Sequence, residues 1–133
     1  TGGGISAGPF HSQSNEAWFF HVPGLKIAYP SNPHDAKGLL HTSIDDNNPV
    51  LYFEHKALYR SIKGNVPKGM YHIEFGKGNI INKGYKITVV TYGMGIHWML
   101  KYISDNDNMK SYVELIDLRT LIPWDKDIIY KSL

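Results

Sequence analysis

The stretch from Leu25 to Glu54 constrains the fold most, because it reads as a strand, a helix and a strand with short links. Residues 25–29 are mostly apolar and end at Pro30, which is typical of a buried strand. A helix is predicted to begin after Asn32, a capping residue that precedes a proline suited to a first turn. Its packing face has helical spacing and comprises Ala36, Leu39, Leu40, Ser43 and Ile44. Such a unit makes a right-handed crossover between parallel strands.

A second strand–helix–strand unit is predicted later in the chain. Residues 86–92 read as a strand, residues 93–95 as a tight turn, and a helix follows to about Ser104. Residues 112–118 read as another strand. We predict that the two units lie in different sheets, which makes the fold class α/β.

The segment between these units, residues 61–85, is rich in Gly, Pro and Lys. We interpret it as an interdomain connection with some short extended pairing, for example over 71–75. A long hairpin inside one domain explains the same composition equally well. The predicted division is therefore one α/β piece in residues 1–60, the connection in 61–85 and a second piece in 86–133.

The candidate functional residue is His11, which follows a glycine-rich stretch with glycines at positions 2, 3, 4 and 8. Ser12 and Ser14 are good N-caps, and a short helix is predicted over Asn15–His21. His11 is thus expected at the end of a flexible loop, directly before a helix. Functional residues often lie on such loops. A surface-loop histidine with ordinary capping neighbours is the alternative, and it is the more frequent case.

Composition and charge exclude several classes of function. With 42% hydrophobic and 20% charged residues, the 133-residue chain can bury a core. The net charge of +2, without a Lys/Arg cluster, gives no reason to expect nucleic-acid binding. The absence of cysteine excludes disulfides and Cys-based zinc sites, and no apolar run suggests a membrane span. The ends at Thr1 and Leu133 suggest a fragment of a longer chain.

Two features resemble binding motifs but are incomplete. Gly93-Met94-Gly95 follows a strand but lacks the third glycine of a dinucleotide loop, so a plain turn is predicted. His34 and His41 lie on one predicted helix without a third ligand, which favours solvated histidines over a metal site.

Four groups of residues together resemble the beta subunit of a thiamine-diphosphate-dependent 2-oxoacid dehydrogenase, within the transketolase-like superfamily. They are His-Ser-Gln-Ser at 11–14 followed by Glu16-Ala17-Trp18, the motifs at 35–40 and 58–60, and the ending at 117–125. The first group is most similar to the branched-chain (2-oxoisovalerate) type. Transketolases and deoxyxylulose phosphate synthases share the histidine and the helix but lack the motifs at 35–40 and 58–60. The match covers nearly the whole chain.

The resemblance implies the fold and the activity. Residues 1–60 would be the end of a transketolase-like pyrimidine-binding domain, and residues 86–133 the start of a transketolase C-terminal-type domain. The whole assembly would decarboxylate a branched-chain 2-oxo acid oxidatively and transfer the acyl group to a lipoyl group. It would reside in the bacterial cytoplasm or, in a eukaryote, in the mitochondrial matrix.

The resemblance also implies a cofactor and partners. Thiamine diphosphate with magnesium would be held mainly by an alpha subunit or alpha-like domain, while the beta part covers the aminopyrimidine. The other implied partners are a second beta copy and the lipoylated acyltransferase core. In this family the glutamate that activates the aminopyrimidine lies upstream of the position of Thr1, so the chain by itself is expected to be inactive.

The site residues follow from the same resemblance. His11 would bind the substrate carboxylate or oxyanion and assist proton transfer, and a titrating imidazole suits both roles. Its neighbours Phe10, Ser12 and Gln13 would lie near substrate and cofactor. A structural potassium ion would take oxygen ligands at Ser43, Asp46 and Asn48, although an ordinary helix-ending turn is the alternative.

Two positions depart from the branched-chain pattern. Asn15 stands where these members often carry proline, and Trp18 stands where phenylalanine is expected. Both lie just behind His11, so pyruvate or acetoin stays open as the substrate. A non-catalytic subunit-interaction module is the remaining alternative.

Overall fold

A computed structural model describes all residues from Thr1 to Leu133. In chain order its elements are α1 (Gly8–His11), a 3₁₀ helix (Glu16–Phe19), β1 (Lys26–Ala28), α2 (Pro33–Asp45), β2 (Val50–Tyr52), α3 (Leu58–Ser61), β3 (Asn79–Asn82), β4 (Ile87–Thr91), α4 (Met94–Asp105), α5 (Met109–Tyr112), β5 (Val113–Asp117), β6 (Thr120–Ile122) and α6 (Lys126–Ser132). None of the helices combines the length and the apolar character that a membrane crossing requires.

The first sheet contains three strands in the order β2-β1-β6. β1 and β2 are parallel, with Ile27 opposite Leu51, and α2 connects them. The helix begins where the sequence predicts, because the Asn32 side chain accepts a hydrogen bond from the backbone N–H of Asp35. The first parallel strand–helix–strand unit is therefore confirmed.

The second sheet has the order β3-β5-β4. β4 and β5 are parallel over five residue pairs, from Ile87 opposite Val113 to Thr91 opposite Asp117, and α4 lies between them in the chain. The second unit is thus confirmed, and it lies in a different sheet from the first. Two residues after β5, the chain enters β6, which pairs antiparallel with β1. The second half of the chain therefore completes the first sheet.

The segment 61–85 differs in detail from the prediction. Residues 71–75 form no strand; instead Ile73 donates a backbone hydrogen bond to the Gly38 carbonyl of α2 over 3.3 Å. The strand in this segment is β3, which pairs antiparallel with β5. Residues 79–82 form a strand because they pair with β5, a strand distant in the sequence. Local composition does not indicate this pairing. The boundaries at residues 60/61 and 85/86 stay a prediction.

The predicted helix over 15–21 is wrong in length and type. Only the short 3₁₀ helix forms, and no side chain caps it. Its first residue, Glu16, is buried with 4% exposure, so packing against the first sheet decides the local geometry. α1, which the sequence did not indicate, begins at Gly8, where φ is +74°.

The core has three parts, two of which belong to the first sheet. Ile27, Tyr29 and Leu121 pack together on one side of this sheet. Ala28, Leu39 and Ile73 form a second cluster under α2. The third cluster lies between α4 and the second sheet and comprises Ile96, Ile103, Val113 and Leu115.

Candidate active site

His11 is the last residue of α1 and is exposed to solvent. Neither of its ring nitrogens forms a hydrogen bond within the chain, so both are free for a ligand. Phe10 beside it is 86% exposed, and Gln13 is exposed as well. Ser12 does not cap a following helix as predicted; its hydroxyl accepts from the backbone N–H of Ala7 over 2.8 Å.

The backbone of His11 is held by the first residues of the chain and by the loop after β2. Gly2 approaches so closely that an added Cβ would lie 2.7 Å from the His11 carbonyl oxygen. Lys56 donates from Nζ to the same oxygen over 3.3 Å. Two neighbouring segments therefore contact the His11 backbone, while its side chain makes no hydrogen bond within the chain.

A buried polar cluster lies behind this loop. The Tyr29 hydroxyl shares a short hydrogen bond with the Thr1 hydroxyl, and Tyr92 packs edge-on against Tyr29 with ring centroids 4.9 Å apart. Burial, with a contribution from the Glu16 carboxylate, raises the pKa of Tyr29. Sequence reasoning missed Glu16 as a buried residue, since a glutamate at a helix start normally faces water.

A second polar network connects the two halves of the chain. Arg119 holds the buried Asp35 carboxylate with both arms of its guanidinium, from Nε over 2.8 Å and from Nη2 over 2.9 Å. The Ser31 hydroxyl donates to the Asp117 carboxylate, and the Ser31 carbonyl oxygen lies 2.7 Å from Nε2 of His97. These contacts join the start of α2 to β5, to the β5–β6 link and to α4.

Asp117 is fully buried at the end of β5. Burial raises its pKa to about 6, although the Ser31 hydroxyl and the Arg119 backbone N–H both donate to the carboxylate. Arg119 thus serves both buried carboxylates, with its guanidinium on Asp35 and its backbone N–H on Asp117.

The side chains of the residues predicted for potassium all have partners within the chain. The Asp46 carboxylate accepts from Lys26 Nζ over 2.5 Å and from the backbone and side-chain amides of Asn48. The Lys26 hydrogen bond, followed by those from Asn48, lowers the Asp46 pKa to about 2. The Ser43 hydroxyl donates to the Leu39 carbonyl. The lysine ammonium therefore already supplies the positive charge that a potassium ion would bring.

The donor set at His11 fits one side of an organic cofactor. It offers an imidazole, an exposed aromatic ring and small polar groups, and it lacks the carboxylates that a magnesium diphosphate needs. The chain contains no group of three His, Cys, Asp or Glu side chains that could hold a metal ion. The side chains around His11 would therefore suit the organic part of a cofactor and not a metal-bound phosphate part.

A cleft of about 280 Å³ opens at the carboxyl ends of β1 and β2. His11 does not line it, but the loop that anchors His11 does, through Glu54 and His55. The other lining residues are mostly small or apolar and comprise Pro30, Ser31, Asn32, Pro33, Ala36, Leu58, Tyr59 and Ile62.

Comparison with known families decides the relationship. Residues 1–62 match the pyrimidine binding domain of transketolase, and residues 76–133 match the transketolase C-terminal domain. The chain belongs to the transketolase-like family. This transketolase-like chain therefore carries parts of both domains, and the family resemblance of the sequence is confirmed.

Two curated relatives refine the comparison. The chain is 46% identical over 133 residues to the 2-oxoisovalerate dehydrogenase subunit beta of Bacillus subtilis, covering 98% of this chain and 40% of the relative. It is 44% identical over 131 residues to the acetoin:2,6-dichlorophenolindophenol oxidoreductase subunit beta of Cupriavidus necator, covering 98% and 38%. The transketolase-like chain thus spans about two fifths of the length of these relatives.

Solved structures agree on the fold. A split-gene transketolase, described as an inactive beta4 tetramer, superposes with a TM-score of 0.66 at 19% identity, covering 83% of this chain and 35% of that chain. At this identity the likeness establishes the transketolase-like α/β architecture alone.

Proposed function

We propose that the protein containing this chain is the beta part of the decarboxylating component of a 2-oxoacid dehydrogenase complex, acting on a branched-chain 2-oxo acid. The observation that carries the proposal is the 46% identity to a 2-oxoisovalerate dehydrogenase beta subunit across 98% of the chain. The exposed His11, with both ring nitrogens free, supplies a group that this chemistry needs.

In this proposal His11 faces the substrate. Its imidazole binds the carboxylate or the oxyanion of the 2-oxo acid and later moves a proton while the acyl group passes to the lipoyl sulfur. Phe10, Ser12 and Gln13 line the same side. Thiamine diphosphate, when bound, supplies the electron sink for decarboxylation, and the protein groups orient it and handle protons.

In this proposal an alpha subunit or alpha-like domain holds the diphosphate and its magnesium ion, since this chain contains no group of three His, Cys, Asp or Glu side chains that could hold a metal ion. A second beta copy and the lipoylated acyltransferase core complete the assembly. Large exposed aromatic side chains support such contacts: Trp18 is 72% exposed and Trp98 is 64% exposed. Aromatic side chains are enriched where protein surfaces meet.

Potassium at Ser43, Asp46 and Asn48 stays a prediction. Because Lys26 neutralises Asp46, an ion here would depend on backbone carbonyl oxygens and on ligands from outside this chain. Replacing sodium by potassium at equal ionic strength should raise the melting temperature of the full-length protein if the ion binds. Identical melting temperatures in the two salts would remove the site.

A substrate panel tests the proposed function. The assembled enzyme should turn over 3-methyl-2-oxobutanoate faster than pyruvate, with acyl transfer to a lipoylated acceptor as the readout. The similarity to an acetoin oxidoreductase subunit, with Asn15 and Trp18 close behind His11, makes acetoin the second candidate substrate. Activity with acetoin alone would identify the protein as part of an acetoin-oxidising enzyme instead. Activity with none of these substrates would favour a non-catalytic interaction module.

A further inference from the structure

His55, in the loop after β2, is a buried histidine, and the hydrogen-bond partners of its two ring nitrogens determine which nitrogen carries the proton. The residue is only 6% exposed. Its Nδ1 lies 3.3 Å from the backbone nitrogen of Ala57, and its Nε2 lies 3.1 Å from the carbonyl oxygen of Gly3. An amide N–H only donates and a carbonyl oxygen only accepts, so Nδ1 is the acceptor and Nε2 carries the proton. The imidazole is therefore neutral, and burial lowers the pKa of His55 in the same sense.

The glycine segment that His55 holds is in contact with His11. Gly2, next to Gly3, donates its backbone N–H to the Gln13 carbonyl over 3.1 Å. An added Cβ on Gly2 would lie 2.7 Å from the His11 carbonyl oxygen. A displacement of residues 2–3 therefore reaches the backbone of His11 directly.

Lys56, the residue after His55, also contacts the first residues of the chain and the backbone of His11. The backbone N–H of Lys56 donates to the Thr1 carbonyl over 3.0 Å, and its Nζ donates to the His11 carbonyl over 3.3 Å. Residues 54–57 thus hold both the beginning of the chain and the end of α1. His55 is the buried member of this loop, with its ring between Ala57 and Gly3.

We propose that His55 is a positioning residue for His11, because its neutral ring bridges the Ala57 N–H and the Gly3 carbonyl and so fixes the glycine segment against the His11 backbone. The inference rests on the proposed function, in which the His11 side chain reacts. A reacting group that moves by about 1 Å loses rate by up to ~10²-fold. His55 touches neither substrate nor cofactor in this account.

The test uses the full-length protein assembled with its partner subunit. His55→Phe keeps an aromatic ring but removes the donor and the acceptor, whereas His55→Gln keeps one of each. His21→Phe is the matched control, because His21 is exposed and makes no side-chain hydrogen bond. We expect His55→Phe to lower kcat for acyl transfer about 10- to 100-fold. It should also raise amide hydrogen exchange in residues 2–13, and His55→Gln should restore most of both.

A second route keeps the test decisive where the phenylalanine variant does not fold. Gly2→Ala leaves His55 intact and presses on the His11 carbonyl, so it should lower kcat in the same way. Gly69→Ala is its control, because nothing lies within 4 Å of the added methyl group. Wild-type kcat and exchange in the His55→Phe or Gly2→Ala protein would overturn the inference. Wild-type turnover of His11→Ala would instead overturn the role proposed for His11, absence of turnover in the wild-type assembly would overturn the proposed function, and the exchange data would still decide the role of His55.

Discussion

Arg119 and Asp35 form a two-armed ion pair across 84 residues of sequence, with N–O distances of 2.8 and 2.9 Å. Asp35 lies in the first turn of α2, and Arg119 lies in the link between β5 and β6. The pair therefore joins α2, which packs on the first sheet, to the link through which the chain passes from the second sheet to the first. The Asp35 side chain is 1% exposed and the Arg119 side chain is 17% exposed, so water screens the pair little.

Arg119→Met should destabilise the protein by about 3–5 kcal/mol, because the buried Asp35 carboxylate loses the guanidinium and keeps only Asn32 and His34 as side-chain partners. Urea unfolding of the full-length protein measures the change. Lys101→Met is the control, since the Lys101–Asp105 pair is exposed to water and should contribute little to stability. Equal losses of unfolding free energy in the two variants would show that the buried Arg119–Asp35 pair stabilises the protein no more than an exposed pair.

The Asp117 carboxyl should make stability depend on pH. Its folded pKa of about 6 lies above the ordinary value of 3.8, so the folded state holds the proton more tightly than the unfolded state. The contribution of Asp117 is therefore most favourable below pH 4 and decreases as the pH rises to about 6. Relative to Asp117→Asn, the wild-type protein should lose roughly 1–3 kcal/mol over this range. A stability difference that stays constant from pH 4 to pH 7 would contradict the raised pKa.

Gly84→Ala tests the packing of the second sheet. An added Cβ would lie 2.2 Å from the backbone carbonyl carbon of Val113, the first residue of β5. Backbone cannot move aside as a flexible side chain can, so we expect a loss at or above the upper end of about 1–3 kcal/mol. Gly69→Ala, with open space around the methyl group, should stay within about 0.5 kcal/mol. Unfolding free energies of both variants provide the comparison.

The sequence predicts the two parallel units because their signals are local. Apolar runs mark the strands, and Asn32 with Pro33 marks the start of α2. β3 and β6 are not predicted, because the strands that pair with them lie elsewhere in the chain. β3 becomes a strand by pairing with β5, and β6 becomes one by pairing with β1. Such pairing depends on residues far apart in the chain.

In the candidate site, too, local features are visible in the sequence and long-range contacts are not. The position of His11 beside glycines is visible in the sequence, as is its resemblance to a known motif. The burial of Glu16 and the contact between the His55 ring and Gly3 depend on packing between segments far apart in the sequence. The Lys26–Asp46 ion pair likewise links residues 20 positions apart, and it changes what the predicted potassium residues can bind.

The most direct test of the account is the turnover of His11→Ala in the assembled enzyme, measured as acyl transfer to a lipoylated acceptor. We predict a fall of ~10²–10⁴-fold, the usual loss for one positioned acid–base group. Thiamine diphosphate affinity and melting temperature should stay near wild-type values, because the His11 side chain is exposed and makes no hydrogen bond within the chain. His11→Asn should fail similarly, since its amide does not titrate. Near-wild-type turnover of His11→Ala would contradict the catalytic role proposed for His11.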